Sequence, residues 1–200
     1  MVPGLILAAG QSSRMGRPKA LLTIPPLGVT FVRRLAAALC DGGAEEALVV
    51  GRPDDRALQA EVASLPPRAR FVANPDADTG QLSSVLAGLR VADRPGVHGV
   101  LVIPVDVPLV TADTVAALLA AYRSSVAPIV RATHHGRHGH PVIFARAVFD
   151  ELRHADPAAG AKSVLRAHEA AIVNVEVEDP GVVTDVDTPE DYARLFGGAV

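Results

Sequence analysis

The chain has 200 residues, of which 49% are hydrophobic and 20% are charged, and its net charge at pH 7 is −3. This length suits one domain, and the composition excludes wholesale disorder. The slight acidic excess argues against a broad nucleic-acid surface, so we expect no nucleic-acid partner. The single Cys40 excludes an internal disulfide, and the apolar start is too short for a signal peptide or membrane span. These features predict a cytoplasmic protein with no membrane partner.

The first 125 residues alternate short Val- and Ile-rich runs with longer Ala- and Leu-rich runs. The short runs are apolar on both faces, as in the strands of a parallel sheet that is covered on both sides. They predict strands at residues 4–9, 47–51, 69–73 and 99–104. The longer runs predict helices at residues 29–40, 54–64, 82–92 and 111–124. The alternation indicates an α/β fold with a doubly wound, mostly parallel sheet.

The pattern changes after residue 125. It predicts strands at 128–132 and 140–145, joined by a loop at 133–139 into a small hairpin insertion. It then predicts helices at 147–153 and 159–168 and a strand at 171–177. Thr188 suits the N-cap of a final helix, and Pro189 suits its first position. We predict a single domain over residues 1–200, with a variable second half laid against the sheet.

The segment LAAGQSSRMGRPK at residues 7–19 is the strongest motif. It follows the first predicted strand, at the sheet edge where open α/β folds bind ligands. Glycines allow close backbone approach to phosphate, serines add hydroxyl donors, and a pair of cations adds charge. These residues are Gly10, Gly16, Ser12, Ser13, Arg14 and Lys19. The spacing differs from a P-loop and from the dinucleotide fingerprint. It indicates a phosphate-binding loop, with an ordinary strand-to-helix turn as the alternative.

Two acidic segments indicate a magnesium site beside that loop. Asp106 follows a buried predicted strand and is flanked by prolines, so its position is fixed. Asp185 and Asp187 lie two residues apart and would point the same way on an extended segment. Carboxylates of this kind hold Mg²⁺ against a bound nucleotide. Either Asp185 or Asp187 can complete the site with Asp106, and helix capping is the structural alternative for all of them.

Two further segments have less specific patterns. The stretch GQLSSVLAGL at residues 80–89 places Gly80 and Ser84 at the start of a helix, where they either cap it or contact a nucleobase. Residues 134–140 contain four histidines but no cysteine, which argues against a zinc site. We interpret this segment as a basic hairpin that touches an anionic ligand, with His140 at its fixed end.

Together these residues resemble the MobA-like NTP transferase family, from Leu5 to Phe196. The segment at 7–19 is the most specific part, and VDVP at 105–108 and DVDTPEDY at 185–192 are moderately specific. The resemblance implies a Rossmann-like nucleotidyltransferase that uses Mg²⁺ to transfer a nucleoside monophosphate from an NTP to a phosphorylated acceptor. Residues 1–125 would bind the NTP, and residues 126–200 would bind the acceptor and complete the metal site.

The resemblance also implies roles for individual residues. Ala8, Ala9 and Gly10 would line the base and ribose, and Gly80 and Ser84 would touch the base. Arg14 and Lys19 would act on the triphosphate. Asp106 and Asp187 would hold the metal, with Asp106 therefore counted among the catalytic residues.

Within the family, Ala9 and the stretch at 80–89 resemble the molybdenum cofactor cytidylyltransferases. A methyl group at Ala9 would crowd a purine, so CTP is the expected donor and molybdopterin the expected acceptor, with a molybdoenzyme as a possible downstream partner. Lys162 stands where these members usually have an arginine and, with His140, is assigned to the acceptor. The alternatives are a sugar-phosphate, polyol-phosphate or other small acceptor, and a non-catalytic nucleotide-binding module.

Overall fold

A computed structural model describes residues 1–197 of the chain. Within these residues the strands are β1 (Gly4–Leu7), β2 (Thr23–Ile24), β3 (Val29–Thr30), β4 (Ala47–Gly51), β5 (Ala69–Ala73), β6 (Gly99–Pro104), β7 (Ile129–His134), β8 (Arg137–Ala145) and β9 (Ile172–Glu176). The α-helices are α1 (Phe31–Asp41), α2 (Arg56–Ala63), α3 (Gln81–Ala92), α4 (Ala112–Ser124), α5 (Phe149–His154), α6 (Ala161–Ala167) and α7 (Pro189–Phe196). None of these helices is long and apolar enough to cross a membrane.

Seven of the strands form one sheet in the order β5-β4-β1-β6-β8-β7-β9. Strands β5, β4, β1 and β6 are mutually parallel, and β9 is parallel to β7. Strand β8 is antiparallel to both of its neighbours, β6 and β7. The predicted mostly parallel α/β sheet is confirmed, and the sheet continues across residue 125 because β6 pairs with β8. The division of the chain into two binding halves stays a prediction.

Helices cover both faces of the sheet, which is why its strands are apolar on both sides. In β1, Ile6 belongs to a core cluster that includes side chains of α1, α2 and α4, whereas Leu5 belongs to a cluster with α3, α5 and α6. Gly88 allows α3 to lie directly on the sheet, since a Cβ at this position would be 2.7 Å from Leu5 Cδ1. The clusters fix the strand ends that carry the loops described below.

The predicted loop at 133–139 was wrong. Strands β7 and β8 continue to a two-residue turn, with His134 paired to Arg137. The turn residues His135 and Gly136 have φ angles of 49° and 72°. Tight hairpin turns require positive φ at both positions, and a glycine at the second position meets this requirement. The two strands therefore form one hairpin, with a register shift between Arg131 and Thr133, and both are inside the seven-stranded sheet.

The remaining differences from the predicted elements are at their ends. Helix α1 begins at Phe31 because Val29 and Thr30 pair with β2, and the Thr30 side chain caps the helix by accepting from Arg33 N. Strand β1 ends at Leu7, so residues 8–10 already belong to the loop. The predicted caps at Thr111 and Thr188 are present, and Pro189 occupies the first turn of α7.

Candidate active site

A cleft of about 300 Å³ opens at the carboxyl ends of β1 and β6. These strands are neighbours, with Leu7 paired to Pro104, so the loops that follow them lie side by side. The cleft has residues from both loops, from the start of α3 and from the segment before α7. Its lining includes Ala8, Ala9, Gly10, Ser12, Ser13, Arg14, Lys19, Gly80, Ser84, Asp106 and Asp187. All of the predicted nucleotide and metal residues except Gly16 therefore meet in one place.

The glycine loop is folded around Ser12, whose φ is 51°. The Ser12 carbonyl accepts hydrogen bonds from Met15 N at 3.0 Å and Gly16 N at 3.1 Å, and its Oγ accepts from Lys19 N at 3.2 Å. Gly16 has a φ of 72° and uses its amide inside the loop. Gly16 thus shapes the turn of the loop, and its assignment to the nucleotide stays a prediction. Gly10 remains open to the cleft, since a Cβ there would meet nothing within 4 Å.

A cluster of opposite charges lies on the floor of the cleft. The buried Lys19 ammonium is 2.5 Å from Asp187 Oδ1 and 3.3 Å from Asp106 Oδ2. The Arg14 guanidinium is 3.0 Å from Asp187 Oδ2. The hydrogen bond from Lys19, helped by the charges of Lys19 and Arg14, outweighs burial and holds the pKa of Asp187 below its usual range. Asp187 is therefore ionised throughout the neutral range.

The two carboxylates suit a magnesium ion that also binds a triphosphate. Because Asp106 and Asp187 both contact one ammonium nitrogen, their oxygens converge on a volume the size of a small cation. Residues 1–197 contain no group of three or more metal-ligating side chains. Two protein carboxylates are nevertheless enough for Mg²⁺ in nucleotide sites, where substrate phosphates and water supply the other ligands. The residues present thus fit the ion.

Asp185 does not share this position. It lines a different cleft, near Arg137 and His138, although burial first and then the charges of Asp106 and Asp187 raise its pKa. Asp185 and Asp187 flank the buried Val186, and only Asp187 lines the same cleft as Asp106. Asp187, and not Asp185, is the partner of Asp106 in the nucleotide cleft.

The start of α7 fixes the position of Asp187. Val186 N donates to the Asp106 carbonyl at 2.8 Å, which ties together the two segments that carry the acids. The next residue, Thr188, forms a capping box with Asp191, and Asp191 Oδ2 also accepts from Asp187 N at 3.2 Å. Such a cap is worth about 1 kcal/mol and leaves the backbone at Asp187 little freedom.

Asn74 organises the side of the cleft near α3, and sequence reasoning missed it. This fully buried residue follows β5, and its Nδ2 donates to Ser83 Oγ at 2.8 Å and to Ser84 Oγ at 3.0 Å. The Ser84 oxygen therefore accepts from protein and retains its own proton for a ligand. The signal was available, because an asparagine directly after a parallel strand lies at the ligand edge of the sheet.

A second missed group joins the glycine loop to the segment before α3. Arg52 Nε donates to the Ala9 carbonyl at 3.1 Å, and the guanidinium forms an ion pair with Asp78. Gln11 Nε2 donates to the same carboxylate at 3.0 Å. Arg52 lies just after β4, at the same sheet edge as Ala9, so it fixes the carbonyl of a cleft residue.

The predicted acceptor residues line a second cavity of about 380 Å³. It shares Leu7, Gly80, Gln81 and Pro104 with the cleft that follows the glycine loop, so the two spaces adjoin. His140 and Lys162 lie on its walls. Burial lowers the pKa of His140, although the charge of Asp106 opposes this effect, and Nδ1 of the ring is buried without a hydrogen-bond partner among residues 1–197. His140 is thus a neutral ring with one unused polar atom close to the acids.

The fold and the cleft define a nucleotide-binding α/β protein, and the fold is shared with solved structures. Rv0371c from Mycobacterium tuberculosis superposes with a TM-score of 0.78 at 27% identity, covering 98% of this chain and 97% of that one. A structure of the same protein in complex with manganese gives a TM-score of 0.75 at 24% identity, covering 99% of both chains.

The family model of the MobA-like NTP transferase domain matches residues 4–172, and the chain belongs to this family. It is therefore a nucleotidyltransferase. A molybdenum cofactor guanylyltransferase of Burkholderia ambifaria is 36% identical over 188 residues, covering 88% of this chain and 85% of the relative. The purine catabolism protein PucB of Bacillus subtilis is 29% identical over 195 residues, covering 94% of this chain and 93% of PucB.

Proposed function

We propose that the enzyme transfers CMP from CTP to the phosphate of molybdopterin and releases pyrophosphate in a magnesium-dependent reaction. The observation that carries this proposal is the ammonium of Lys19 held between Asp106 and Asp187 on the floor of a cleft that follows a glycine loop. In such a cluster the cations suit the phosphates of a nucleoside triphosphate, and the paired carboxylates suit the metal ion that accompanies it. The names of several relatives support the molybdenum cofactor as acceptor.

We assign the base and ribose to the walls of the cleft formed by Ala8, Ala9 and Gly10. Gly80 and Ser84 complete the base site from the opposite side. The side chain of Ala9 is buried, and its methyl group takes space that a glycine would leave to a larger base. The free proton of Ser84 suits an acceptor atom on the base edge. Cytosine, the smaller base, satisfies both conditions.

We assign the triphosphate to Arg14, Lys19 and the loop donors Ser12 and Ser13. Asp106 and Asp187 would hold Mg²⁺, which when bound neutralises negative charge on the phosphates. Lys19 forms ion pairs with both acids, and Arg14 forms one with Asp187. If Asp106 and Asp187 held Mg²⁺, the ammonium of Lys19 would be available to the α-phosphate and to the departing pyrophosphate.

The reaction needs no general base from the protein. An oxygen of the acceptor phosphate forms a bond to the α-phosphorus of the NTP, and the bond between that phosphorus and the bridging oxygen to the β-phosphate breaks. The electron pair leaves with pyrophosphate. A phosphate monoester is largely deprotonated at neutral pH because its second pKa is about 6. His140 and Lys162 would orient the acceptor in the adjoining cavity. A molybdoenzyme that receives the product is the downstream partner that we propose.

Guanylyl transfer is the second candidate function. It is favoured by the relative of 36% identity that is named a molybdenum cofactor guanylyltransferase. The two candidates share the phosphate and metal residues and differ only in the base site. A purine would need the space beside Ala9 that the methyl group narrows.

The test is a pyrophosphate-release screen of four NTPs, each with molybdopterin, a sugar phosphate, a polyol phosphate or 2-phospholactate. We expect Mg²⁺-dependent release with CTP and molybdopterin, and none from an Asp106→Ala control. If turnover occurs only with another acceptor, that compound replaces molybdopterin as the proposed acceptor. Faster turnover with GTP than with CTP would favour guanylyl transfer. NTP binding without release in any combination would contradict catalysis and indicate a binding module.

A further inference from the structure

A basic cleft of about 270 Å³ adjoins the cavity of about 380 Å³ that His140 and Lys162 line, here called the acceptor cavity. The two spaces share the side chains of His140, Val142 and Leu165. The polar wall of the basic cleft is formed by Arg131 and Arg137 on the hairpin, together with His138. A ligand in the acceptor cavity that extends past His140 would therefore meet the side chains of Arg131 and Arg137.

Arg131 is a cation that is partly buried and fixed in position. Its Nε and Nη2 both donate to Asn174 Oδ1, at 3.1 and 2.9 Å, and Nη1 is left out of this contact. Among residues 1–197, no carboxylate forms an ion pair with it. Burial lowers the pKa of Arg131, and the charge of Glu169 only partly opposes this effect. A partly buried guanidinium with one unused nitrogen is a favourable contact for an anion in the cleft.

Arg137 gives the cleft a second positive charge. It lies at the start of β8, next to the hairpin turn, and its side chain is exposed. None of the ion pairs within the described part of the chain includes it. Asp185 lines the same cleft and carries the opposing charge. Among the side chains that line the cleft, two guanidinium groups face one carboxylate and His138 adds a polar ring, while Glu169 acts on Arg131 from outside the lining.

We propose that this cleft binds a second anionic group of the acceptor, remote from the phosphate that attacks the NTP. The proposal rests on the proposed function, because it uses the acceptor cavity as the path to the cleft. It restricts the substrate class to acceptors with negative charge at both ends. Arg131 and Arg137 are binding residues for the distal anion, and guanidinium groups suit carboxylates and phosphates because they can bind two oxygens at once.

The test compares acceptors that differ only in the distal charge. Fructose 1,6-bisphosphate is paired with fructose 1-phosphate, and 3-phosphoglycerate with glycerol 3-phosphate, so that two lengths are sampled. Binding is measured by calorimetry to the full chain with Mg²⁺ and a non-hydrolysable CTP analogue. We expect at least one doubly charged probe to bind about tenfold more tightly than its partner. Arg137→Ala should reduce this ratio towards one, and the exposed Arg123→Ala on α4 should leave it unchanged.

Arg131→Gln is the second variant, since glutamine can still donate to Asn174 while the charge is lost. Equal affinities within both pairs for the wild-type chain, or no measurable binding of any of the four probes, would overturn the proposal. If the ratio of affinities for the doubly and singly charged probes is unchanged in both Arg137→Ala and Arg131→Gln, the proposal is also overturned. Binding of the CTP analogue and pyrophosphate release are separate readouts. Their failure contradicts the proposed function, whereas their success without a distal preference contradicts only this inference.

Discussion

Lys19 and Asp187 are 168 residues apart in the chain, and the ammonium nitrogen of one lies 2.5 Å from a carboxylate oxygen of the other. Asp106 accepts from the same ammonium at 3.3 Å. The cleft thus holds a cation at the point where its acids converge. A metal ion bound by both acids would compete with this ammonium for their oxygens, so we expect metal binding to weaken the contacts of Lys19.

Removal of Asp106 tests the metal assignment. We expect Asp106→Ala to abolish turnover while the chain stays folded, because the carboxylate lies at the cleft and is only partly buried. Steady-state pyrophosphate release and circular dichroism measure the two effects. Asp113→Ala, in the first turn of α4, is the matched control and should retain activity. Full activity of folded Asp106→Ala at saturating Mg²⁺ would contradict a metal role.

Two neighbouring cations should differ sharply in importance. Lys19 is buried against both acids, whereas Arg17 is exposed on the outer side of the loop. We expect Lys19→Ala to weaken NTP binding and to slow the chemical step, with a combined loss of about 2–3 kcal/mol for one charge-assisted contact. Arg17→Ala should have a much smaller effect. Single-turnover kinetics measure both, and equal losses in the two variants would count against the assignment of Lys19.

Base selectivity depends on Ala9 in our proposal. Competition between CTP and GTP in a single-turnover assay should favour CTP by roughly 10- to 200-fold, the scale typical of a clashing group in a pocket. Ala9→Gly should reduce this preference by admitting GTP, with little loss of CTP turnover. If GTP is preferred by the wild-type chain, the base-site argument fails while the phosphate and metal assignments stand. If the ratio of CTP to GTP turnover is unchanged in Ala9→Gly, base selectivity is set elsewhere, and Gly80 and Ser84 are the next residues to test.

The stability of the fold should depend on Asp179 at low pH. Burial would raise its pKa, but hydrogen bonds from Thr114, Thr111 and Gly181 outweigh burial, and the pKa lies below its usual range. Because the folded pKa is lowered, this stabilisation is complete above the unfolded pKa of about 3.9 and is lost as pH falls towards the folded value.

We therefore expect Asp179→Ala to reduce the free energy of unfolding by about 2–3 kcal/mol at pH 7, since buried donors lose a charged acceptor. The difference from the wild-type chain should shrink below about pH 4, where the carboxylate begins to be protonated. Urea denaturation at several pH values measures this trend. Glu178→Ala, the neighbouring acid, is the control. A difference that is independent of pH down to pH 2 would show that Asp179 acts by packing alone.

Local patterns in the sequence were sufficient for the parallel sheet, the glycine loop and the cap at Thr188. A strand buried on both faces must be apolar throughout, and a loop directly after it must lie at the sheet edge, so residue order alone predicts that Lys19 and Asp106 lie at that edge. The same reasoning predicts the start of α7, because Thr188 and Pro189 satisfy the requirements of a helix terminus within a few residues.

The tertiary structure alone decided which distant groups meet. The hydrogen bonds from Asn74 to Ser83 and Ser84, and the contact of Arg52 with Ala9, depend on the order of strands in the sheet, which no local period specifies. The position of Asp187 beside Asp106 also depends on distant contacts, since Val186 N donates to the Asp106 carbonyl and the Lys19 ammonium contacts Asp187. The sequence determined which residues could form the site because periodicity and caps are local, whereas their partners were set by packing between segments far apart in the chain.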